Sequence, residues 1–326
     1  MVKISWRGIR HIFSNAFKGF SEDKITKLSG SLAYSTIFSM GPLLIVIISL
    51  CSIFLGREAI EGKIYAQLAE FVGTDTAAQL QEIIKNASLQ GKGNVAFIIG
   101  LVILLIGATA IFGEIQDSIN TIWGLKPKPK KGWVKMLQNR FLSFSVIISL
   151  GFLLLVSLGI SSLIDGFSDQ LKERYPEVTV VVFYIINSLI TLIVTTTIFG
   201  VIFRVLPDAA IKWKDVFIGA LSTAIFFMLG KFAISFYISK SNIGSTFGTA
   251  GSLVVLLLWV YYSSLILYFG AEITKAYALE YGSEIYPNQY AVTTKTIEVE
   301  TGNQSVQNKE NMTTGIQEEL KKESKL

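Results

Sequence analysis

Residues 241–278 read SNIGSTFGTAGSLVVLLLWVYYSSLILYFGAEITKAYA, and this stretch decides the fold. A run of Gly, Ser and Thr leads into about twenty apolar residues with a single acid, Glu272, near their far end. At ~1.5 Å per residue such a run crosses the ~30 Å hydrocarbon core of a bilayer as an α-helix. An ionisable group at the end of a crossing helix is a functional candidate from the outset.

Working outward, five further apolar runs lie at residues 31–56, 94–113, 141–164, 178–203 and 216–238, with the run just quoted placed at 252–271. Hydrophobic residues make up 51% of the 326, only 16% are charged, and the mean hydropathy is +0.52. Soluble domains carry roughly 25% charge, so the composition is that of an integral membrane protein. Backbone groups in lipid must be satisfied internally, so the reading is all-α, a polytopic bundle of six transmembrane helices. The expected organisation is an amphipathic cytoplasmic or interfacial segment over 1–30, the transmembrane domain over 31–280, and a disordered polar tail over 281–326.

Charge sets the orientation. With the N-terminus inside, the inner segments 1–30, 124–140 and 204–215 hold fifteen Lys and Arg, against seven in the outer segments 57–93, 165–177 and 239–251. Both termini are therefore expected in the cytoplasm of a multi-pass inner-membrane protein. Trp6, Trp123, Trp133 and Trp213 all fall at the inner boundaries, where indole suits the headgroup layer. The net charge of +5 is read as topology and attraction to the lipid bilayer, with no nucleic-acid partner. The first long apolar run starts only after about thirty polar and basic residues and lacks a small-residue cleavage site, so no cleavable signal is expected.

In the first segment, Ile9, Ile12, Phe13, Ala16, Phe17 and Phe20 recur at helical spacing among Lys3, Arg7, Arg10 and Lys18. That pattern fits a helix lying in the interface or packed on the bundle. Ser21, followed by Glu22 and Asp23, is expected to cap the next helix. Between residues 57 and 93, two short amphipathic helices are expected to form an extracytoplasmic cap, and Gly41-Pro42 should kink the first span.

Charges gather at the inner ends of the spans. Glu114 and Asp117 follow the second, Arg204 and Asp208 the fourth, and Glu272 and Lys275 the sixth. If these helices are neighbours, the charges form either an inner gate or ion path, or interfacial pairs that fix helix packing. Candidate hinge or outer-approach residues are Gly41, Pro42, Gly244, Gly248 and Gly251, because the 244–251 run is too rich in glycine for a rigid helix. Tyr261, Tyr262, Ser263 and Ser264, with Thr195 to Thr197, Ser222 and Thr223, form a candidate polar seam; helix packing is the commoner use of such residues. Gly30, Leu32, Phe38 and Gly41 also match Gly219, Leu221, Phe227 and Gly230 at one offset, and Gly113-Glu114 is similar to the Gly270–Glu272 end of the sixth span. This would make a parallel repeat, although the small-residue bias of membrane helices produces such matches unaided.

Soluble-enzyme signatures are missing from the sequence. One cysteine, Cys51, and one histidine, His11, supply neither a disulfide nor a His-based metal cluster, and there is no phosphate loop or nucleophile elbow. No enzymatic activity, cofactor or metal is expected.

The blocks Ala33–Pro42 (AYSTIFSMGP), Ser118–Gly124 (SINTIWG), Phe203–Pro207 (FRVLP) with Trp213 and Gly219-Ala220, and Leu258–Tyr262 through Gly270-Ala271-Glu272 resemble the YihY/virulence factor BrkB family. The resemblance runs over roughly residues 10–280 and implies a bacterial inner-membrane protein with six spans. It also implies links to serum resistance, cation exchange and lipid export. A ribonuclease label attached to such proteins finds no support in these residues, which show neither clustered acids and histidines nor a positively charged cleft. The expected function is a transporter or transport accessory for a lipid, an amphiphile or a cation; the alternative is a non-transporting scaffold for envelope proteins.

Overall fold

The computed structural model describes residues 5–37, 110–128, 176–240, 251–282, 284–288 and 291–294. Gly41, Pro42, Cys51, Trp133, Gly244, Gly248, the outer cap, the third span, most of the first two spans and the tail from 295 onward lie outside the described residues. The chain divides into two compact units, Met1–Val292 and Thr293–Leu326, and all the helices described below belong to the first.

Six helical stretches are described: α1 (Trp6–Glu22), α2 (25–37), α3 (110–122), α4 (Pro176–Val205), α5 (Trp213–Lys240) and α6 (Gly251–Tyr281). Of these, α4, α5 and α6 are long and apolar enough to cross a membrane, while α2 and α3 are the described ends of the first two apolar runs. Pro176 opens α4, a first-turn position where its missing N–H costs nothing. Val205 closes the helix because Leu206 precedes Pro207, and a residue before proline is disfavoured in the α conformation.

The packing order is α4 on α5, α5 on α6 and α6 on α1. Contacts between α5 and α6 run in opposite senses along the two helices, Gly219 against Thr274, Thr223 against Gly270 and Gly230 against Tyr262, so the pair is antiparallel. Each threonine hydroxyl also donates to its own helix, Thr223 to the Gly219 carbonyl at 2.6 Å and Thr274 to the Gly270 carbonyl at 2.8 Å. A β-carbon at Gly219 would lie 3.0 Å from the Cα of Thr274, and one at Gly270 would lie 2.8 Å from the Cβ of Thr223. The two helices thus meet through a reciprocal Gly–Thr pair in which a small residue admits the opposite backbone.

The main core joins Ile25 and Leu32 of α2, Ile115, Ile119 and Ile122 of α3, Phe199 and Phe203 of α4, Ala220 of α5 and Tyr268 and Ala271 of α6. Trp123 belongs to this core instead of the headgroup layer. It is 6% exposed, and its indole N–H donates to the Ala271 carbonyl at 3.1 Å, whereas Trp6 and Trp213 are exposed. Trp123→Phe removes that hydrogen bond and replaces the indole with a smaller ring in the core, while the Ala271 carbonyl keeps its place in the helical ladder of α6. It should cost about 1–3 kcal/mol, read as a lower denaturant midpoint of the detergent-solubilised protein.

Ser21 does not cap α2. It lies inside α1, its carbonyl accepts from the Lys24 N–H, and the chain reverses at Asp23-Lys24, with Lys24 in the left-handed region at φ 53°. The cap of α1 is Ser5, whose hydroxyl accepts from the Gly8 N–H at 3.1 Å.

Order also extends past the expected boundary at 281. Ala209-Ala210 pairs antiparallel with Tyr286-Pro287, and the Asn288 N–H donates to the Asp208 carbonyl at 3.0 Å. Residues 284–288 therefore belong to the packed unit, because the α4–α5 connection offers them unpaired backbone groups.

Candidate functional site

The sixth apolar run ends near Ala271, but α6 continues helical to Tyr281. The extension has its own apolar stripe, Ile273, Ala276 and Tyr277, and Ile12, Phe13 and Ala16 of α1 close over it. α1 lies antiparallel on this extension. The Ser5 N–H donates to the Tyr281 hydroxyl at 3.1 Å, His11 meets Glu280 at 2.6 Å, and the Phe17 and Phe20 rings meet Phe269 tilted and edge-on. The amphipathic first segment therefore has a definite seat on the bundle.

Beneath α1 lies a cluster of charged groups. Glu272 is 2% exposed, and a β-carbon at Gly19 would sit within 2.7 Å of both carboxyl oxygens and the carboxyl carbon, so only glycine lets α1 cover it. Lys275 Nζ stands 3.5 Å from Glu272 Oε2 and donates to Asp23 Oδ2 at 3.1 Å. Glu272 Oε1 is buried and finds no hydrogen-bond partner among the described residues. Two carboxyl groups face one ammonium, so the fully ionised cluster carries one uncompensated negative charge. A buried charge of that kind is costly unless something satisfies it.

Asp208 belongs to a second polar cluster. Its Oδ2 accepts from Asn120 Nδ2 at 3.1 Å, its N–H donates to Asn120 Oδ1 at 2.8 Å, and its Oδ1 accepts from Asn288 Nδ2 at 3.2 Å. Asn120 and Asp208 are 1% and 3% exposed. The cluster ties α3, the α4–α5 bend and residue 288 together, and its well-satisfied hydrogen bonds mark a clasp.

The other inner charges take different places. The Arg204 guanidinium lies over the Trp213 ring, 6.0 Å from its centroid, a cation–π arrangement. Glu114 is half-buried and Asp117 exposed on α3, where the Asp117 carbonyl accepts from the Thr121 hydroxyl. The structure thus joins Glu272 with Lys275 and adds Asp23, while Asp208 and Arg204 each have separate principal partners.

Along the candidate seam, Tyr261, Tyr262 and Ser263 are half-buried, and the Tyr262 hydroxyl lies against Gly230. Thr197, Ser222, Thr223 and Ser264 donate to carbonyls four residues earlier in their own helices. Gly251 is the first residue of α6. The helix ends suggested as repeats differ in surroundings, since β-carbons at Gly30 and Gly113 would meet no described atom within 4 Å whereas Gly219 and Gly270 are tightly packed.

Asn120, Asn288, Asp23 and Gly19 were not read from the sequence as site residues. A signal existed for Asn120, an amide within the apolar-flanked SINTIWG block, where burial obliges it to find partners. Among the described residues, no group of three or more His, Cys, Asp and Glu is placed to hold a metal ion.

The family model for virulence factor BrkB matches residues 16–292, and its match ends at the last residue of the first compact unit. A UPF0761 membrane protein of Ralstonia nicotianae is 26% identical over 271 residues, covering 81% of this chain and 58% of the relative. A UPF0761 membrane protein of Haemophilus influenzae is 28% identical over 261 residues, covering 79% of this chain and 91% of the relative. One from Aggregatibacter aphrophilus is 26% identical over 287 residues, with 84% and 94% covered. The chain thus spans less than two thirds of the Ralstonia protein and nearly all of the other two. No solved structure matches this one.

Proposed function

The chain belongs to the virulence factor BrkB family of membrane proteins, and from that premise we propose that it is a transporter or transport accessory of the cytoplasmic membrane for a lipid, an amphiphile or a cation. In this reading the chain crosses six times with both ends cytoplasmic, performs no enzymatic reaction, needs no cofactor and has no nucleic-acid partner. The observation that carries it is Glu272, a carboxylate on a membrane-spanning helix, buried under α1, with one oxygen lacking a partner among the described residues. Buried intramembrane charge is retained at a cost, and its commonest use is on a substrate or ion pathway. The excess negative charge of the Glu272, Asp23 and Lys275 cluster suits transient occupation by a proton or cation, with α1 as the cover.

A second reading, the non-transporting scaffold, is favoured by the seam hydroxyls that turn back onto their own helices in place of a water path. Liposomes separate the two. The reconstituted protein is expected to pass labelled phospholipid or monovalent cations, and Glu272→Gln to lower that flux about tenfold or more with an unchanged elution profile. Absence of flux for every probe with the unmodified protein would leave the scaffold, and full flux through Glu272→Gln would remove this cluster from the pathway.

A further inference from the structure

Where α1 meets the end of α6, a hollow of about 460 Å³ opens between the two helices. Arg7, Arg10, His11 and Ser14 line it from α1, Ser5 closes one end, and Glu280 comes from α6. Glu280, the one acid in the lining, is engaged by His11 at 2.6 Å, so its charge is directed at the imidazole. Two guanidiniums remain beside two hydroxyls, the donor set that recognises a phosphate through forked N–H and O–H contacts.

The hollow's position selects the source of that phosphate. It lies at the terminus of α6, ten residues past the end of its apolar run near Ala271, on the side where a crossing helix leaves the hydrocarbon for the headgroups. Trp6, 83% exposed, and the exposed Phe17 project from the same α1 and provide apolar surface for the acyl region. Tyr281 also borders a second hollow of about 370 Å³, lined by Lys212, Trp213, Lys214 and Asp215, with two bases against one acid. Basic pockets beside interfacial aromatics at the end of a membrane helix match anionic headgroups in charge and depth.

We propose that the hollow between α1 and the end of α6 is a binding site for the headgroup phosphate of an anionic phospholipid, held by Arg7, Arg10 and Ser14. The bound lipid is a resident of the fold that fastens α1 over Glu272, and it is separate from any transported cargo. Its test therefore needs no flux.

The full-length protein, purified in detergent and stripped of endogenous lipid, is titrated with phosphatidylglycerol or phosphatidylcholine and bound lipid is counted by native mass spectrometry. Phosphatidylglycerol is expected to bind more tightly than phosphatidylcholine. The double variant Arg7→Gln/Arg10→Gln should bind it about thirtyfold more weakly, from the usual contribution of two basic side chains to anionic-lipid binding. Arg7→Lys/Arg10→Lys should restore only part of the loss, because it returns the charge without the fork. Lys18→Gln, which removes an exposed charge of α1 outside the hollow, should change little. Unchanged phosphatidylglycerol binding in the double glutamine variant would overturn the site. Displacement of the lipid by millimolar inorganic phosphate would make it a free-phosphate site and overturn the lipid assignment.

Discussion

Gly219→Val is expected to leave little or no folded protein in the membrane fraction. The new side chain would press on the Thr274 Cα, 3.0 Å from where its β-carbon must stand, so no rotamer change on α6 relieves it. Overfilling a packed site ordinarily costs about 1–3 kcal/mol, and a clash with backbone belongs at or above the top of that range. The reciprocal position behaves differently. Gly270→Ala meets mainly the Thr223 side chain, and Thr223→Gly removes what it meets, so the double variant should recover much of the lost stability. Thr274→Gly should rescue Gly219→Ala only in part, because the Thr274 Cα remains. Thermal unfolding in detergent reads both cycles, and equal rescue of the two pairs would refute this account of the contact.

Asn120→Leu is the second large effect. It removes the donor to the Asp208 carboxylate and the acceptor of the Asp208 N–H in one step, at a site almost closed to solvent. Losing a hydrogen bond to a charged group costs about 1.5–3 kcal/mol and stranding a buried N–H adds about 1–3 kcal/mol. A total of about 2.5–6 kcal/mol follows, enough to consume much of an ordinary protein's stability. Adding Asp208→Ala to Asn120→Leu should cost less than the sum of the single losses, because the carboxylate that lost its Asn120 donor has gone. Strict additivity in urea unfolding of the solubilised protein would show that the two side chains do not act as one clasp.

The long helices were legible because apolar length is a signal each segment carries within itself. The runs at 178–203 and 216–238 each fall short of α4 and α5 by only two or three residues at either end. The sixth run stopped ten residues early for a physical reason. Hydropathy measures affinity for lipid, whereas residues 272–281 stay helical by burying a stripe against α1, and that partner is about 250 residues away in sequence. The same distance hid Asp23 from Glu272, although Glu272 itself stood out as an acid at the end of an apolar run. Ser21 misled because hydroxyl capping is a local preference, and the reversal at Lys24 is imposed by where α1 must lie. Asn120 and Asp208 are 88 residues apart, and their union is set by the bend at Pro207, which no pattern within either segment announces.

The antiparallel seating of α1 on α6 carries a rule about parity. Ser5 stands within hydrogen-bond reach of Tyr281, so the chain returns at the end of its last long helix to the side from which it set out. A path that begins and ends on one side of a sheet pierces it an even number of times. If α6 crosses the membrane as proposed, both ends of the helical domain share one face and the number of crossings is even, a constraint that owes nothing to the distribution of lysine and arginine.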